Sequence, residues 1–407
     1  GASGINLASV RDSVVRNNLI VGNQCYGIYE DEALSTQPVD ATGNDWGDVS
    51  GPLHETLNPT GLGNAVSDYV NFSPWEGMAP EMDSDGDGWP DLAESQAGTN
   101  GSDPDDYPLL TTLFVGGAGA ADYALGDAAH PIATLEEAIA RINILADNDY
   151  RVELASNTVF NLTAPLILNQ NTVLAGNGAT IDGGSGVPAG IIVGIGAEDV
   201  RIEDMIIRNF ATGILTNSEG GCLNLVNVTV ESCGTGLDLA ETFQLQVDLD
   251  VSVIENCGTG IRFAAGSSSN IVTNGTVANN TGDGIRFEGG NETPDNNRLE
   301  NVTVQGNGGN GIAIYDGAEN VLAGNQITGN NTSRSAYGGI AVFGGGTLGT
   351  GGDAILLGGE HDGLHVGAAV DQGTLGSVDQ VTVHEDEEDV FGTEPAVVVI
   401  PQFGPLG

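Results

Sequence analysis

The sequence predicts an all-β fold, a right-handed parallel β-helix, from a repeat, an alternation and a composition. A Gly-Ile or Gly-Leu step recurs every 23 or 24 residues at Gly190, Gly213, Gly236, Gly260 and Gly284. Between these steps lie runs such as "LNLVNVTV" and "VDLDVSVI", whose alternation is typical of strands with one buried face. The 407 residues include 63 glycines and only 5% aromatics, a composition that favours strands and turns. Such short units describe coils of a solenoid, and the usual chirality of parallel connections makes it right-handed.

A second recurring position supports this register. Four residues before the glycine step lie Asn23, Asn209, Ser232, Asn256, Asn280 and Asn307. An Asn stacked on another Asn can donate to one neighbour and accept from the other. Asn also tolerates the left-handed backbone of a tight turn. We therefore expect one column of stacked asparagines along the solenoid.

A capping helix is predicted at the start of the main solenoid. The segment "HPIATLEEAIARINIL", His130 to Leu145, has a capping box at Thr134 and Glu137. One face of this helix is apolar and comprises Leu135, Ala138, Ile139, Ile142 and Leu145. Because an open solenoid end exposes unpaired strand edges, we expect this helix, near residues 133–145, to cover coils running from about Val152 to His365.

The first 35 residues contain only about two coils, with steps at Gly4 and Gly27. Stable solenoids need three or more repeats. We therefore expect these coils to stack on missing parts of a longer precursor, on a second subunit or on the tail at 366–407. That tail contains the apolar strand "AVVVIPQF", an edge that would promote self-association of solenoid ends into a homopolymer.

An acidic segment separates these two parts. Met82 to Asp106, "MDSDGDGWPDLAESQAGTNGSDPDD", has eight acidic residues and no basic one. Counted from Asp83, carboxylates occupy positions 1, 3, 5, 9 and 12 of an EF-hand loop, at Asp83, Asp85, Asp87, Asp91 and Glu94.

Other features of this segment fit the same calcium loop. Gly88 is at position 6, where the loop turns, and Trp89 at position 7 offers its carbonyl. Pro90 suits the start of a short helix. A second metal set is possible at Asn100, Asp103 and Asp105. The segment is thus predicted to bind Ca²⁺, the alternative being a solvated acidic linker.

The charge of the chain excludes some partners. The net charge is −46, and the ten basic residues are all arginine. Without a basic patch, nucleic acid and anionic membranes are disfavoured. No apolar run is long enough to span a bilayer. Such acidity fits a secreted, cell-surface protein in a calcium-containing medium, or a halophilic source. The chain begins inside a repeat, as expected of a mature segment or part of a longer precursor.

Two further groups of side chains are candidates for function. Arg262 and Arg286 occupy one outward position on successive coils, with Asp238 one coil earlier and Glu288 two residues after Arg286. They form either a glycan-binding ladder or an exposed charge ladder.

Cys233 and Cys257 share the word "CGTG" one repeat apart. They form either a disulfide between coils or a stack of buried thiols, since adjacent parallel strands give poor disulfide geometry.

Two long segments resemble known proteins. Gly43 to Trp75 resembles the closing segment of secreted bacterial and archaeal right-handed β-helix repeat proteins, and Leu113 to Ile142 resembles the opening segment of pectate-lyase-like β-helices. The word "DSDGDG" resembles the calcium repeats of secreted bacterial proteins. The resemblance implies closing coils at 1–77, a calcium-binding linker at 78–108, a β-helix at 109–365 and a tail at 366–407.

The resemblance specifies fold better than function, since the superfamily includes lyases, hydrolases, epimerases, adhesins and surface-layer proteins. Its lyases use a Lys or Arg base beside calcium, and this chain has no lysine. We identify no catalytic residues. We predict a non-enzymatic, calcium-stiffened structural or adhesive protein, such as a stalk, coat or filament subunit. The alternatives are a polysaccharide lyase, a glycoside hydrolase or a carbohydrate-binding module.

Overall fold

A computed structural model describes most of the chain. The described residues are 3–7, 13–30, 38–78, 82–144, 149–184, 186–217, 219–289, 293–315, 317, 319–333 and 339–342, with strand backbone at 355–358, 364–366, 381–384 and 397–398. The chain divides into two compact units, Gly1–Ala146 and Asp147–Gly407. The first unit contains the predicted closing coils, the acidic segment and residues 109–146, which include the predicted capping helix.

The first unit holds the N-terminal coils, the acidic segment and two helices. Its elements are β1 (Ile5–Leu7), β2 (Tyr26–Glu30), β3 (Val39–Asp40), β4 (Ala65–Val66), β5 (Val70–Asn71), α1 (Asp91–Ala97), β6 (Thr112–Val115) and α2 (Leu135–Ile144). Strands β1, β2 and β4 form a parallel sheet, and β3 pairs with β5. The first coils thus stack on the segment that follows them in the same chain. Buried Trp46, Phe72 and Trp75 lie in their core.

Both helices lie where the sequence predicts them. Helix α1 begins after Pro90 and ends at Gly98, whose φ of 83° is left-handed. The predicted apolar face of α2 is buried at Leu135, Ala138, Ile139 and Ile142, while Leu145 lies outside the described residues.

Half of the predicted capping box forms at α2. The Glu137 N–H donates to Thr134 Oγ1 at 3.4 Å. The Glu137 carboxylate accepts from Arg141 at 2.7 Å and from the Tyr123 N–H at 3.0 Å instead of reaching back to Thr134.

The second unit is a parallel β-solenoid. Its strands are β7 (Tyr150–Leu154), β8 (Val159–Asn161), β9 (Leu166–Leu168), β10 (Thr172–Asp182), β11 (Ala189–Val193), β12 (Asp199–Arg208), β13 (Thr212–Thr216), β14 (Cys222–Glu231), β15 (Thr235–Leu239), β16 (Gln246–Asp248), β17 (Val253–Glu255), β18 (Thr259–Phe263), β19 (Ile271–Thr273), β20 (Thr276–Ala278), β21 (Ile285–Phe287), β22 (Arg298–Glu300), β23 (Thr303–Gln305), β24 (Ile312–Ile314), β25 (Val321–Ala323), β26 (Gln326–Thr328), β27 (Ile340–Val342), β28 (Ile355–Gly358), β29 (Leu364–Val366), β30 (Val381–His384) and β31 (Val397–Val398).

One sheet of the solenoid receives one strand from each coil. Its nine parallel strands follow the order β9, β11, β13, β15, β18, β21, β24, β27 and β29. In register, Ile214 lies beside Leu237 and Leu237 beside Ile261, and all three are fully buried. The predicted right-handed parallel β-helix is confirmed.

The other sheet changes along the solenoid. Strands β10, β12 and β14 are 10 or 11 residues long. In the next coils each long strand is replaced by two strands of three residues, such as β16 and β17 or β22 and β23. Parallel pairing continues through both rows of short strands.

The predicted asparagine column is two neighbouring columns. Asn209, Ser232 and Asn256 have left-handed φ angles of 63°, 55° and 54°. In the next coil this turn position is Asn279, with φ of 55°, and the predicted Asn280 follows it. In this coil and the next, one extra residue precedes the glycine steps at Gly284 and Gly311, so counting back four residues selects the buried neighbour of the turn.

The buried column is a hydrogen-bonded ladder. The side-chain amide of Asn280 donates to Asn307 Oδ1 at 2.9 Å, and that of Asn307 donates to Asn330 Oδ1 at 2.8 Å. The Cys257 N–H donates to Asn280 Oδ1 at 3.0 Å, so the cysteine of the preceding coil lies in the same column.

The C-terminal apolar strand pairs within the chain. Val397 and Val398 lie antiparallel to Thr382 and Val381, respectively. This pairing occupies one edge of the strand, and self-association of the solenoid ends stays a prediction.

Candidate metal centre

Three carboxylates of the acidic segment converge within one loop. One oxygen each of Asp83, Asp85 and Asp87 lies within 4.8 Å of the other two. The loop folds back on its first residue, because the N–H groups of Gly86 and Gly88 donate to the two Asp83 oxygens at 2.7 and 3.0 Å. Gly88 has φ of 99°, the left-handed turn that the sequence predicted at position 6.

Helix α1 holds a further carboxylate, which is buried but is not part of the converging group. Glu94 is 0% exposed, and neither of its carboxylate oxygens has a hydrogen-bond partner among the described residues. Asp85 Oδ2 and Asp87 Oδ2 are also buried without a partner. An ionised carboxylate removed from water is very costly unless a cation or hydrogen bonds compensate it.

The pKa values of these carboxyl groups are raised for the same reason, because burial and neighbouring negative charges disfavour their ionised form. Burial, followed by the charges of Asp85, Asp87 and other acids, raises the pKa of Glu94 to about 9. Burial and the charge of Asp87 raise the pKa of Asp85 to about 6. Among the described residues, no basic side chain pairs with these carboxylates.

Asp91 has different partners from the other predicted ligands. Its Oδ1 accepts from the Ser84 N–H at 2.7 Å, and its Oδ2 accepts from the hydroxyls of Ser84 and Ser73. The Asp91 N–H donates to the Met82 carbonyl at 2.8 Å. Asp91 thus ties the two ends of the loop together and joins them to the N-terminal coils.

The two serines are the contacts that the sequence did not reveal. Ser84 lies inside the "DSDGDG" word, at a position that the EF-hand pattern leaves open. Ser73 lies 18 residues before Asp91, outside the loop, so no local spacing points to it.

The loop also packs against α2. Trp89 is 1% exposed, and the guanidinium carbon of Arg141 lies 5.1 Å from the centre of its ring. From α1, Gln96 Oε1 accepts from the Leu125 N–H at 2.7 Å. The acidic segment is therefore held between the N-terminal coils and the region of α2.

The predicted second metal set stays a prediction. Asp103 and Asp105 are exposed, and the Asp105 N–H donates to Asp103 Oδ1 at 3.2 Å. Asn100 behaves differently, since its Oδ1 is buried without a partner.

The predicted arginine ladder forms on the outer face of the solenoid. Arg262 donates to both oxygens of Asp238 at 2.9 and 2.5 Å, and its third nitrogen lies 3.4 Å from Glu288. Arg286 donates to the other Glu288 oxygen at 3.1 Å and stacks 4.3 Å above the Tyr315 ring. The charges compensate each other, which favours the structural interpretation. Glycan binding at this ladder stays a prediction.

The two cysteines of the repeat are free thiols. Cys233 and Cys257 are both buried, and each donates to a carbonyl of its own turn, Glu231 O and Glu255 O, at 3.3 Å. Cys257 Sγ also donates to the Val230 carbonyl of the preceding coil at 3.8 Å. The buried-thiol alternative describes the structure.

Comparisons with known proteins agree with the solenoid. Residues 189–354 match the family model described as the right handed beta helix region. No curated protein matches the sequence.

Solved structures with similar folds include enzymes and a tailspike. Pectate lyase Pel9A has 12% identity over 70% of this chain and 80% of that chain, with a TM-score of 0.41. The Azotobacter vinelandii mannuronan C-5 epimerase AlgE4 A-module has 16% identity over 61% and 85%, with a TM-score of 0.35. The Dettilon tailspike protein has 14% identity over 68% and 68%, with a TM-score of 0.39.

Neither described helix has the length and apolar character of a membrane-spanning segment.

Proposed function

We propose that this chain is an extracellular structural β-helix protein whose acidic segment is ordered by Ca²⁺. Glu94 carries the proposal: it is a fully buried carboxylate whose two oxygens have no partner among the described residues, and burial, with the charges of Asp85, Asp87 and Asp83, raises its pKa. The ligands would be Asp83, Asp85, Asp87, Glu94 and the Trp89 carbonyl. Asp91 would position the loop through Ser73 and Ser84 instead of binding the ion.

Calcium fits this set of residues better than magnesium does. Ca²⁺ accepts six to eight oxygen ligands in a flexible arrangement, and a glutamate at position 12 can bind it through both oxygens. Mg²⁺ demands a tighter octahedron and keeps several waters. A loop with four carboxylates and a carbonyl therefore favours Ca²⁺.

The ion would act as a structural joint. Without it, repulsion among the carboxylates opposes folding of the loop. With it, Trp89 of the loop packs against Arg141 of α2, and Asp91 accepts a hydrogen bond from Ser73 of the N-terminal coils. The ordered loop would thus connect α2 and the N-terminal coils rigidly. The free energy of Ca²⁺ binding would then contribute directly to the folding of the segment.

The rest of the chain supports a structural role outside the cell. A net charge of −46 requires screening by salt or divalent cations. The conspicuous charged group on the solenoid face, from Asp238 to Glu288, is paired internally. Because Val397–Val398 pairs within the chain, the proposal does not include assembly through that strand.

The test compares the full chain with and without Ca²⁺. Isothermal titration with Ca²⁺, together with hydrogen exchange of residues 82–102, should show binding and strong protection that a chelator removes. Glu94→Gln should weaken binding more than about tenfold, since it removes a charged direct ligand. The matched control is Glu76→Gln, an exposed acid near the segment, which should bind as the parent does. A parent protein that binds no Ca²⁺ would overturn the proposal.

A cleft in the first unit favours a second function, carbohydrate binding. A cavity of about 940 Å³ is lined by Tyr26, Tyr29 and Tyr69 with the carboxylates of Glu55 and Asp68. The Tyr26 and Tyr29 rings lie 5.3 Å apart. Aromatic faces with a few polar groups are typical of ligand pockets. No arginine is among the described residues that line this cleft, so neutral or amine-bearing glycans fit it better than polyanionic ones.

This second function is tested on a glycan array. Binding of a neutral or amino-sugar oligomer should be lost in Tyr26→Ala and retained in Leu62→Ala, a change at an exposed residue outside the cleft. An array on which the parent protein binds nothing would exclude it.

A further inference from the structure

We propose that Asn100 Oδ1 is a further ligand of the same cation, so that residues 98–102 close a single site. This inference rests on the proposed function of the acidic segment. It replaces the expected second ion at Asn100, Asp103 and Asp105 with one ion in a site closed by the chain after α1.

The chain reverses direction at the end of α1. Gly98 has a left-handed φ of 83°, and its N–H donates to the Glu94 carbonyl at 2.8 Å. The Thr99 N–H donates to the same carbonyl at 3.0 Å. This C-cap directs the following residues back along the helix toward its first turn.

The returning chain lies directly against the carboxylates. A Cβ placed on Gly101 would be 3.0 Å from Glu94 Oε2 and 3.1 Å from Asp91 Cγ. Gly101 itself is buried. A side chain at this position would crowd Glu94, and glycine allows the close approach that places residues 100–102 beside the proposed ion.

The side chain next to this contact presents an unused oxygen. Asn100 Oδ1 is shielded from solvent and has no hydrogen-bond partner. The backbone of Asn100 is already committed, because its N–H donates to Asp106 Oδ2 at 3.2 Å and its carbonyl accepts from the Ser102 and Asp103 N–H groups. The side-chain carbonyl thus remains for the site.

An amide oxygen suits the missing part of the shell. Calcium sites combine carboxylates with side-chain and backbone carbonyls. Asn100 would add a neutral ligand to a site that already has four carboxylates, without further repulsion. Ser102 Oγ is buried without a partner as well, but a hydroxyl can supply its own proton to a neighbouring acceptor.

The experiment measures stoichiometry and affinity of Ca²⁺ alone by isothermal titration of the full chain. We expect one ion per chain in this segment. Asn100→Ala should reduce affinity about tenfold, and Asn100→Asp, which keeps the oxygen, should retain binding. The matched control is the double variant Asp103→Asn with Asp105→Asn, which should keep the stoichiometry and the affinity of the parent.

The outcomes separate this inference from the function on which it rests. A second ion that the double variant removes would overturn the inference. Unchanged affinity in Asn100→Ala, with binding intact in the parent, would also overturn it and leave the calcium joint standing. If the parent binds no Ca²⁺, both fail. Circular dichroism verifies that each variant is folded, and Asn100→Asp provides the comparison if Asn100→Ala is not.

Discussion

A glycine lies at the second position of, or directly before, eight of the strands of the nine-stranded sheet. At Gly236 and Gly260, the next coil leaves no room for a side chain. A Cβ on Gly236 would lie 2.2 Å from Ile254 Cγ2 and 2.7 Å from the Gly260 carbonyl oxygen. The same approach recurs at Gly260, whose Cβ would meet Val277 at 2.3 Å. The glycine repeat in the sequence therefore follows from close contacts between successive coils. For that reason it predicts how the strands of successive coils align.

The asparagine ladder gives the first prediction at the residue scale. Replacing Asn307 by Leu keeps the approximate volume but leaves the Asn280 N–H without its acceptor and removes one of the two acceptors of the Asn280 side-chain amide. Each buried polar group left unpaired costs about 1–3 kcal/mol, so we expect the free energy of unfolding to fall by about 3 kcal/mol. Guanidinium unfolding of the variant measures this loss.

The matched control lies two residues away on the outward side. Gln305→Leu changes an exposed side chain in the same coil and should alter stability by less than about 0.5 kcal/mol. Equal losses in the two variants would contradict a special contribution of the ladder.

Residue spacing alone could not separate the turn column from the ladder column. The inserted residue after Asn279 shifts the count by one, and only backbone angles distinguish a left-handed Asn279 from the buried Asn280 that follows. The EF-hand positions were readable because all of them lie within 12 consecutive residues. The contact of Ser73 with Asp91 could not be predicted from the sequence, because it depends on how the preceding coils fold.

At the scale of elements, α2 is attached to the acidic segment through one buried cation. Arg141 is 3% exposed, and it donates to the carbonyls of Ala124 and Leu125 and to Glu137, at 2.7 to 3.1 Å. Both helices were predictable from Pro90, Thr134 and apolar periodicity. The connection between them was not, since a helix pattern identifies a buried face without identifying what covers it.

This connection yields the second prediction. Arg141→Ala leaves the Glu137 carboxylate without its cation and exposes one face of Trp89. Breaking a buried ion pair on one side costs about 3–5 kcal/mol, so we expect a clear drop in the melting temperature of the first unit. Calorimetry at saturating Ca²⁺ measures it. Ala140→Gln, at an exposed position of the same helix, should melt as the parent does, and a normal melt for Arg141→Ala would refute the assignment.

At the scale of the whole molecule, charge sets the conditions for stability. The net charge of −46 comes from 56 acidic and ten basic residues, so most carboxylates have no basic partner. Self-repulsion of this kind opposes the compact state.

We therefore expect added salt to stabilise the protein. Raising NaCl from about 0.1 to about 1 M shortens the Debye length from roughly 10 to roughly 3 Å and should raise the melting temperature. Because screening depends on ionic strength, KCl at the same concentration should have the same effect. A melting temperature that falls or stays constant in both salts would show that repulsion between carboxylates does not limit stability.

The change in strand length along the solenoid has a mechanical consequence. Strand β10 spans 11 residues, whereas β22 and β23 span three each. Under tension, adjacent coils separate where the fewest bonds share the load, so the short-strand coils release before the long-strand coils. Each released coil of about 24 residues adds roughly 80 Å of extended chain. The solenoid is thus built to yield in coil-sized steps from one region while its long-strand coils stay intact.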